Sequence, residues 1–144
     1  MSVPETAEKI KSMEIRGAGR IARAAAEALR DHALSVQAQN TAAFRQDMER
    51  AAALLVSTRP TAVSLPNAVH FVMAGLAAAK TAEEAKTGVI RRAEEFIHSS
   101  QHAVGKIAEF GARHIRDGDV ILTHCNSEVA LGCLIEAHRQ GKEI

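Results

Sequence analysis

The stretch from Asp117 to Leu134 decides the fold, and it reads DGDVILTHCNSEVALGCL. The turn-forming residues 117–119 precede a short apolar run, 120–122, that is typical of a strand buried on both faces. Helical spacing follows, with apolar residues at Val129, Leu131, Cys133 and Leu134. The stretch therefore predicts a strand, a tight turn and a helix.

Cys125 lies in that predicted turn, where His124, Asn126 and Ser127 surround it with polar side chains. In open α/β sheets, ligands collect beyond the carboxyl ends of the strands, where helix amino termini offer unpaired N–H groups to anions. A thiol at such a place ionises more readily than a free one. Two interpretations stay open for Cys125, a functional thiol or a small buried hydrophobe. Cys133, inside the predicted helix, is expected to be a small hydrophobe.

The composition argues against several classes of protein and favours a helical one. The chain has 18 basic and 17 acidic side chains. Because these charges nearly cancel, the protein has no strong net electrostatic field that would attract nucleic acid or a membrane surface. Two cysteines, no signal-like start and no long apolar run predict a cytoplasmic protein without a membrane partner. Because the hydrophobic content is 47% and the aromatic content only 3%, the composition favours closely packed helices.

The run from Arg16 to Gly19 interrupts the helical pattern with two glycines between cations. Glycine lets the backbone approach a ligand closely, and an arginine offers a planar fork to phosphate. The alternative interpretation is an ordinary turn between helices with solvated arginines.

A second candidate site lies around Arg59. Pro60 and Pro66 disfavour helix at the residues before them, so residues 57–67 are expected to be extended. An arginine presented on a stiff loop can hold phosphate or carboxylate through two hydrogen bonds. The alternative is a linker between helices with an exposed arginine.

The rest of the chain reads as helices, expected at residues 21–35, 41–56 and 68–79. Thr81 and Glu84 have the spacing of a capping box, which predicts a long helix running to the turn at Asp117. His98 and His102 on that helix have the spacing of a metal-binding pair. Without a further cluster of ligands we favour a solvated helix face, and we expect no metal and no cofactor.

These elements predict a mainly α fold, with a helical amino-terminal domain at residues 1–116. Residues 117–144 would then be the first strand and helix of a truncated Rossmann-like α/β domain, with Gly141 capping the helix. A single parallel strand cannot satisfy its backbone hydrogen bonds. We therefore expect the amino-terminal portion of a longer protein, whose last segment is disordered, refolded or paired with another chain.

Three motifs occur in order along the chain: RGAG from Arg16, TRPTAV from Thr58 and LTHCNS from Leu122. Together they resemble the family of translation initiation factor 2B subunits and sugar-phosphate isomerases, and within it the archaeal ribose-1,5-bisphosphate isomerases. The resemblance spans nearly the whole chain from Glu14 onward.

The resemblance implies an aldose–ketose isomerase that converts ribose 1,5-bisphosphate to ribulose 1,5-bisphosphate in nucleoside monophosphate degradation. It implies that Cys125 is a catalytic acid/base, partnered by an aspartate that residues 1–144 lack, so the chain alone is expected to be inactive. It also implies a homo-oligomer, a dimer or a hexamer. The residues implied to bind the substrate are Arg16, Gly17, Ala18, Gly19, Arg59, Asn126 and Ser127.

Two alternatives remain from the resemblance. A methylthioribose-1-phosphate isomerase shares the thiol and the arginine motifs, but that branch has proline where this chain has Gly19. A non-catalytic regulatory subunit related to the initiation factor would not need Cys125 in its polar setting. A substrate assay separates these possibilities.

Overall fold

The computed structural model describes residues 1–125 and 127–144. The described residues are mainly helical, as the composition predicts, and contain no β-strand. A 3₁₀ turn at Ala74–Leu76 follows the fourth helix. The helices are α1 (Val3–Lys11), α2 (Ala18–Ser35), α3 (Thr41–Ser57), α4 (Ser64–Met73), α5 (Ala82–Ala112) and α6 (Glu128–Arg139).

The chain forms two compact units, Met1–His98 and Ser99–Ile144, and their boundary falls within α5. The first unit contains α1 to α4 and the beginning of α5. The second contains the end of α5 and α6. The division into domains at residues 1–116 and 117–144 stays a prediction.

Local sequence signals explain where several helices begin. The Asn40 side chain accepts the Ala43 N–H at 2.9 Å and caps α3. Thr81 accepts the Glu84 N–H at 3.1 Å, which confirms the predicted start of α5. The Glu84 carboxylate reaches back to the Lys80 N–H at 2.8 Å, one residue earlier than in an ideal capping box.

Helices α2, α3 and α4 of the first unit run antiparallel in succession. His32, near the end of α2, places its Nε2 2.8 Å from the Asp47 carboxylate, early in α3. The Arg45 guanidinium of α3 donates to the Leu76 carbonyl, beyond α4, at 2.9 Å. Because each pair joins the end of one helix to the beginning of its neighbour, the start of α2 lies at the same end of the unit as the loop between α3 and α4.

Small side chains dominate the core of the first unit, so its helices approach closely. Larger residues fill the remaining space, and Phe44, Met48 and Leu55 of α3 are fully buried. The buried alanines are on α1, α2, α3, α4 and α5: Ala7, Ala22, Ala24, Ala25, Ala26, Ala28, Ala33, Ala51, Ala52, Ala68, Ala85 and Ala93.

In the second unit, the strand expected at residues 120–122 does not form within this chain. Val120 and Leu122 are 101% and 98% exposed, and residues 119–124 have no regular secondary structure. The apolar run carries the propensity of a strand, but a parallel strand also needs a neighbouring strand for its backbone. No strand is present among the described residues to supply one.

The chain end folds back onto this unit. Gly141 has φ 85°, and the Lys142 N–H donates to the Ala137 carbonyl at 3.2 Å, which confirms the predicted glycine cap of α6. The Lys142 ammonium donates to the carbonyl of Ala112, the last residue of α5, at 2.6 Å. The Glu143 carbonyl accepts the Gly118 N–H at 2.8 Å. The last residues are thus held by hydrogen bonds to α5 and to the turn at 117–118.

Within the described residues, each helix is too short or too polar to cross a membrane.

Candidate functional site

The Arg16 to Gly19 run forms the beginning of α2 itself. Gly17 is the cap residue, with φ 92°, a left-handed conformation that glycine adopts without strain. The helix therefore begins at Ala18, three residues before the predicted start. Gly17 offers no side chain to cap the helix, so the N–H groups of the first turn have no side-chain acceptor from the cap position. Such a helix end attracts anions.

The Arg59 loop is shorter than the sequence predicts. It spans residues 58–63, because α4 already begins at Ser64, and Pro66 lies in the first turn of that helix. Proline is tolerated there because the first N–H groups of a helix have no partner within the helix. The expectation of extended backbone over residues 57–67 is therefore wrong for Ser57, which ends α3, and for residues 64–67, which belong to α4. It is also wrong for Thr58 and Val63, whose φ and ψ angles are helical. Arg59 is half-buried, and its carbonyl accepts the Ala62 N–H at 3.1 Å in a turn.

The antiparallel hairpin of α2 and α3 places these two arginine motifs at one end of the first unit. The start of α4 lies at that end too, and its cap residue, Val63, provides no side-chain hydrogen bond. Neither the Arg16 nor the Arg59 guanidinium forms a salt bridge within residues 1–125 and 127–144. This end therefore combines two arginines without carboxylate partners and two helix amino termini that lack a side-chain cap.

Cys125 lies in the second unit, exposed, three residues before α6. Its φ of 63° is left-handed, which is uncommon for a residue other than glycine. The Cys125 sulfur lies 2.9 Å from Nδ1 of His124. Two residues further on, the Ser127 hydroxyl accepts the Ala130 N–H at 3.3 Å and caps α6. The thiol therefore precedes a helix amino terminus, as the sequence predicts. Asn126, predicted to bind substrate, lies outside the described residues.

The Cys133 side chain packs against α5. It is half-buried on α6, and its sulfur lies 3.6 Å from the Ile107 carbonyl of α5. A Cβ atom placed on Gly111 would overlap that sulfur. The interpretation of Cys133 as a small packing residue fits these contacts.

The structure brings Arg16, Gly17, Ala18 and Gly19 to the same end of the first unit as Arg59. It brings Cys125 and Ser127 together at the start of α6 in the second unit. The sequence pattern does not predict the contact between His124 and Cys125, because neighbouring side chains of an extended segment point to opposite faces. Only the conformation of Cys125 reveals it. Within the described residues, no group of three or more His, Cys, Asp or Glu side chains could hold a metal ion.

The chain is similar to proteins of known activity. The Initiation factor 2 subunit family matches residues 14–144. The chain is 53% identical over 142 residues to a ribose 1,5-bisphosphate isomerase of Methanocaldococcus jannaschii, covering 99% of this chain and 45% of that protein. It is 49% identical over 146 residues to a protein of the same name from Thermococcus kodakarensis, covering 99% of this chain and 45% of that protein.

A solved structure is also similar. The crystal structure of 5-methylthioribose 1-phosphate isomerase from Pyrococcus horikoshii aligns with a TM-score of 0.84 at 30% identity, covering 98% of this chain and 42% of that chain. The chain thus spans less than half the length of each of these relatives.

Proposed function

Because the chain belongs to the Initiation factor 2 subunit family, we propose that it is the amino-terminal portion of an isomerase that converts ribose 1,5-bisphosphate to ribulose 1,5-bisphosphate. The identity of 53% over 142 residues to a ribose 1,5-bisphosphate isomerase carries this proposal. The reaction would belong to nucleoside monophosphate degradation in the cytoplasm, and it would use no cofactor.

The chemistry needs an acid and a base, because the sugar ring must open and a proton must move between neighbouring atoms. Cys125 is the group that we assign to proton transfer. It is exposed, it precedes a helix amino terminus and it contacts an imidazole. Its partner, an aspartate in the resembled enzymes, would come from a part of the protein beyond residues 1–144. We therefore expect no turnover from these residues alone.

Two phosphates on one small sugar require two separate anion holders. Arg16 and the backbone of Gly17, Ala18 and Gly19 would form one, and Arg59 with the start of α4 would form the other. The first N–H groups of α2 and those of Ser64 and Leu65 in α4 are not capped by the side chains of Gly17 or Val63, which leaves them able to donate to phosphate oxygens. Pro66 has no N–H, and the Asn67 N–H already donates to the Val63 carbonyl at 3.3 Å.

Ser127 and Asn126 would contact the substrate beside Cys125. The Ser127 oxygen already accepts the Ala130 N–H, but its O–H remains a donor. The exposed residues 120–122 would pair with further strands to complete a Rossmann-like domain, and copies of the protein would assemble into a dimer or a hexamer.

A substrate comparison tests the proposal. The full-length protein is given ribose 1,5-bisphosphate and methylthioribose 1-phosphate in parallel, and ketose formation is followed. Turnover of the bisphosphate supports the proposal. Turnover of the methylthio sugar alone would favour the second candidate, which the structural similarity to the Pyrococcus horikoshii enzyme supports. No turnover of either would point to a regulatory subunit.

A further inference from the structure

The contact between His124 and Cys125 requires an unusual backbone. In an extended segment, neighbouring side chains point to opposite faces. The left-handed φ of 63° at Cys125 breaks that alternation. A non-glycine residue held in this region costs free energy, and such residues cluster at functional sites. The strain here has one visible result, which is that the thiol and the imidazole of consecutive residues touch.

The geometry also selects one nitrogen of the ring. The Cys125 sulfur lies 2.9 Å from Nδ1 of His124 and 3.9 Å from Nε2. Nδ1 is therefore the hydrogen-bonding partner of the sulfur. In the neutral imidazole, a proton on Nε2 leaves Nδ1 free to accept the S–H.

Other ionisable groups close to this pair in the sequence are engaged elsewhere or lie on the next helix. The carboxylates of Asp117 and Asp119 each accept a backbone N–H at 2.7 Å. Glu128 is in the first turn of α6. Among the described residues, the hydrogen-bond contacts of the Cys125 sulfur are with His124.

We propose that His124 is the proton partner of Cys125 and positions it for catalysis. The proton passes from Sγ to Nδ1, which gives a thiolate and an imidazolium, and the reverse transfer restores the thiol. No other bond breaks and no electrons are exchanged. The thiolate can then take a proton from the sugar, and the thiol can return it. The use in isomerisation rests on the proposed function, whereas the proton transfer is a property of these two residues.

The test measures the reactivity of the thiol and needs no substrate. The 144-residue chain is treated with iodoacetamide, which alkylates the thiolate, and alkylation of Cys125 is followed by mass spectrometry over a range of pH. Cys133 in the same sample serves as an internal control. In His124→Gln we expect alkylation of Cys125 at neutral pH to slow by about tenfold, and the profile to move to higher pH. His114→Gln, at an exposed histidine of the same unit, should leave both unchanged.

A second variant separates proton transfer from hydrogen bonding. The shorter side chain of His124→Asn places its amide where Nδ1 of the imidazole lies, so it can keep the hydrogen bond to the sulfur but cannot take up a proton, whereas His124→Gln extends its amide to the position of Nε2. We expect this variant to react as slowly as His124→Gln, with the ultraviolet absorbance of the thiolate reduced in both. Circular dichroism confirms that the variants keep their helices.

Equal alkylation profiles in the wild type and His124→Gln would overturn the proposal, as would full reactivity of His124→Asn. Neither result depends on isomerase activity, so failure of this proposal and failure of the proposed function are distinguishable.

Discussion

Gly75 and Gly88 pack backbone against backbone, since a Cβ atom on Gly75 would come within 2.5 Å of the carbonyl carbon of Gly88. Gly75 lies in the 3₁₀ turn that follows α4, and α4 itself is joined to α5 where Arg92 donates to the Phe71 carbonyl at 2.7 Å. The two glycines therefore set how closely the beginning of α5 approaches the 3₁₀ turn after α4.

Gly75→Ala tests this close approach. The added methyl group would press on backbone atoms, which cannot move aside as a flexible side chain can. We expect a loss of about 1–3 kcal/mol in the free energy of unfolding, measured by thermal denaturation. Gly105→Ala is the matched control, because nothing lies within 4 Å of a Cβ atom at that position of α5. There alanine should stabilise the helix by about 0.5–1 kcal/mol. Equal melting temperatures for Gly75→Ala and the wild type would contradict the packing.

Gly111→Ala tests the packing of α6 on α5 in the second unit. The new Cβ atom would overlap the Cys133 sulfur, so the variant should melt at a lower temperature. In a Cys133→Ala background, the sulfur is gone and the same change should cost less. A double-mutant cycle of melting temperatures measures this difference. Additive effects of the two substitutions would show that the residues are not in contact.

Asp47 makes stability depend on pH. A hydrogen bond from Arg50 holds the pKa of the Asp47 carboxyl below its usual value, and His32 acts in the same direction, while partial burial opposes both. Because the pKa is lower in the folded state, the stabilisation is present above the unfolded value of about 4 and is lost as the pH falls through the folded value.

Asp47→Asn should therefore melt at a lower temperature than the wild type at neutral pH. The expected loss in free energy of unfolding is about 1 kcal/mol or less. The difference from the wild type should close below about pH 4. Glu95→Gln, which removes an exposed partner 4.0 Å from Arg91, serves as the control and should change little at any pH. A destabilisation by Asp47→Asn that stays constant down to acid pH would rule out the assigned linkage.

Arg59→Ala tests the assigned phosphate contact. A hydrogen bond to a charged group contributes about 1.5–3 kcal/mol, so the KM for ribose 1,5-bisphosphate should rise by roughly tenfold or more in the full-length protein. The melting temperature should stay close to that of the wild type. Arg91→Ala, at an exposed arginine of α5, is the matched control. Unchanged substrate affinity in folded Arg59→Ala protein would remove Arg59 from the site.

Much of the helical fold could be predicted because its signals are local. Thr81 and Glu84 mark the start of α5, and Gly141 marks the end of α6, through contacts that span only a few residues. The helix α2 begins three residues before its predicted start, because Gly17 has the pattern of a break but is the cap residue of the helix. The helix α4 begins at Ser64 and not at residue 68 as predicted, because Pro66 fits the first turn of a helix as well as a loop.

The predicted strand needs a neighbouring strand, and none is present among residues 1–125 and 127–144. The apolar pattern of residues 120–122 describes what the segment prefers, whereas strand pairing depends on other segments. The candidate site likewise depends on contacts between segments that the sequence pattern does not predict. Sequence spacing singled out Arg16, Arg59 and Cys125, but the approach of α2 and the Arg59 loop depends on helix packing. The contact of His124 with Cys125 depends on one backbone angle.

Turnover of ribose 1,5-bisphosphate by the full-length protein, its Cys125→Ala variant and the 144-residue chain is the most direct test of the proposed function. We expect ketose formation by the full-length protein alone, with substrate binding largely kept in Cys125→Ala. Turnover by Cys125→Ala at the wild-type rate, or no turnover by the full-length protein, would contradict the assignment.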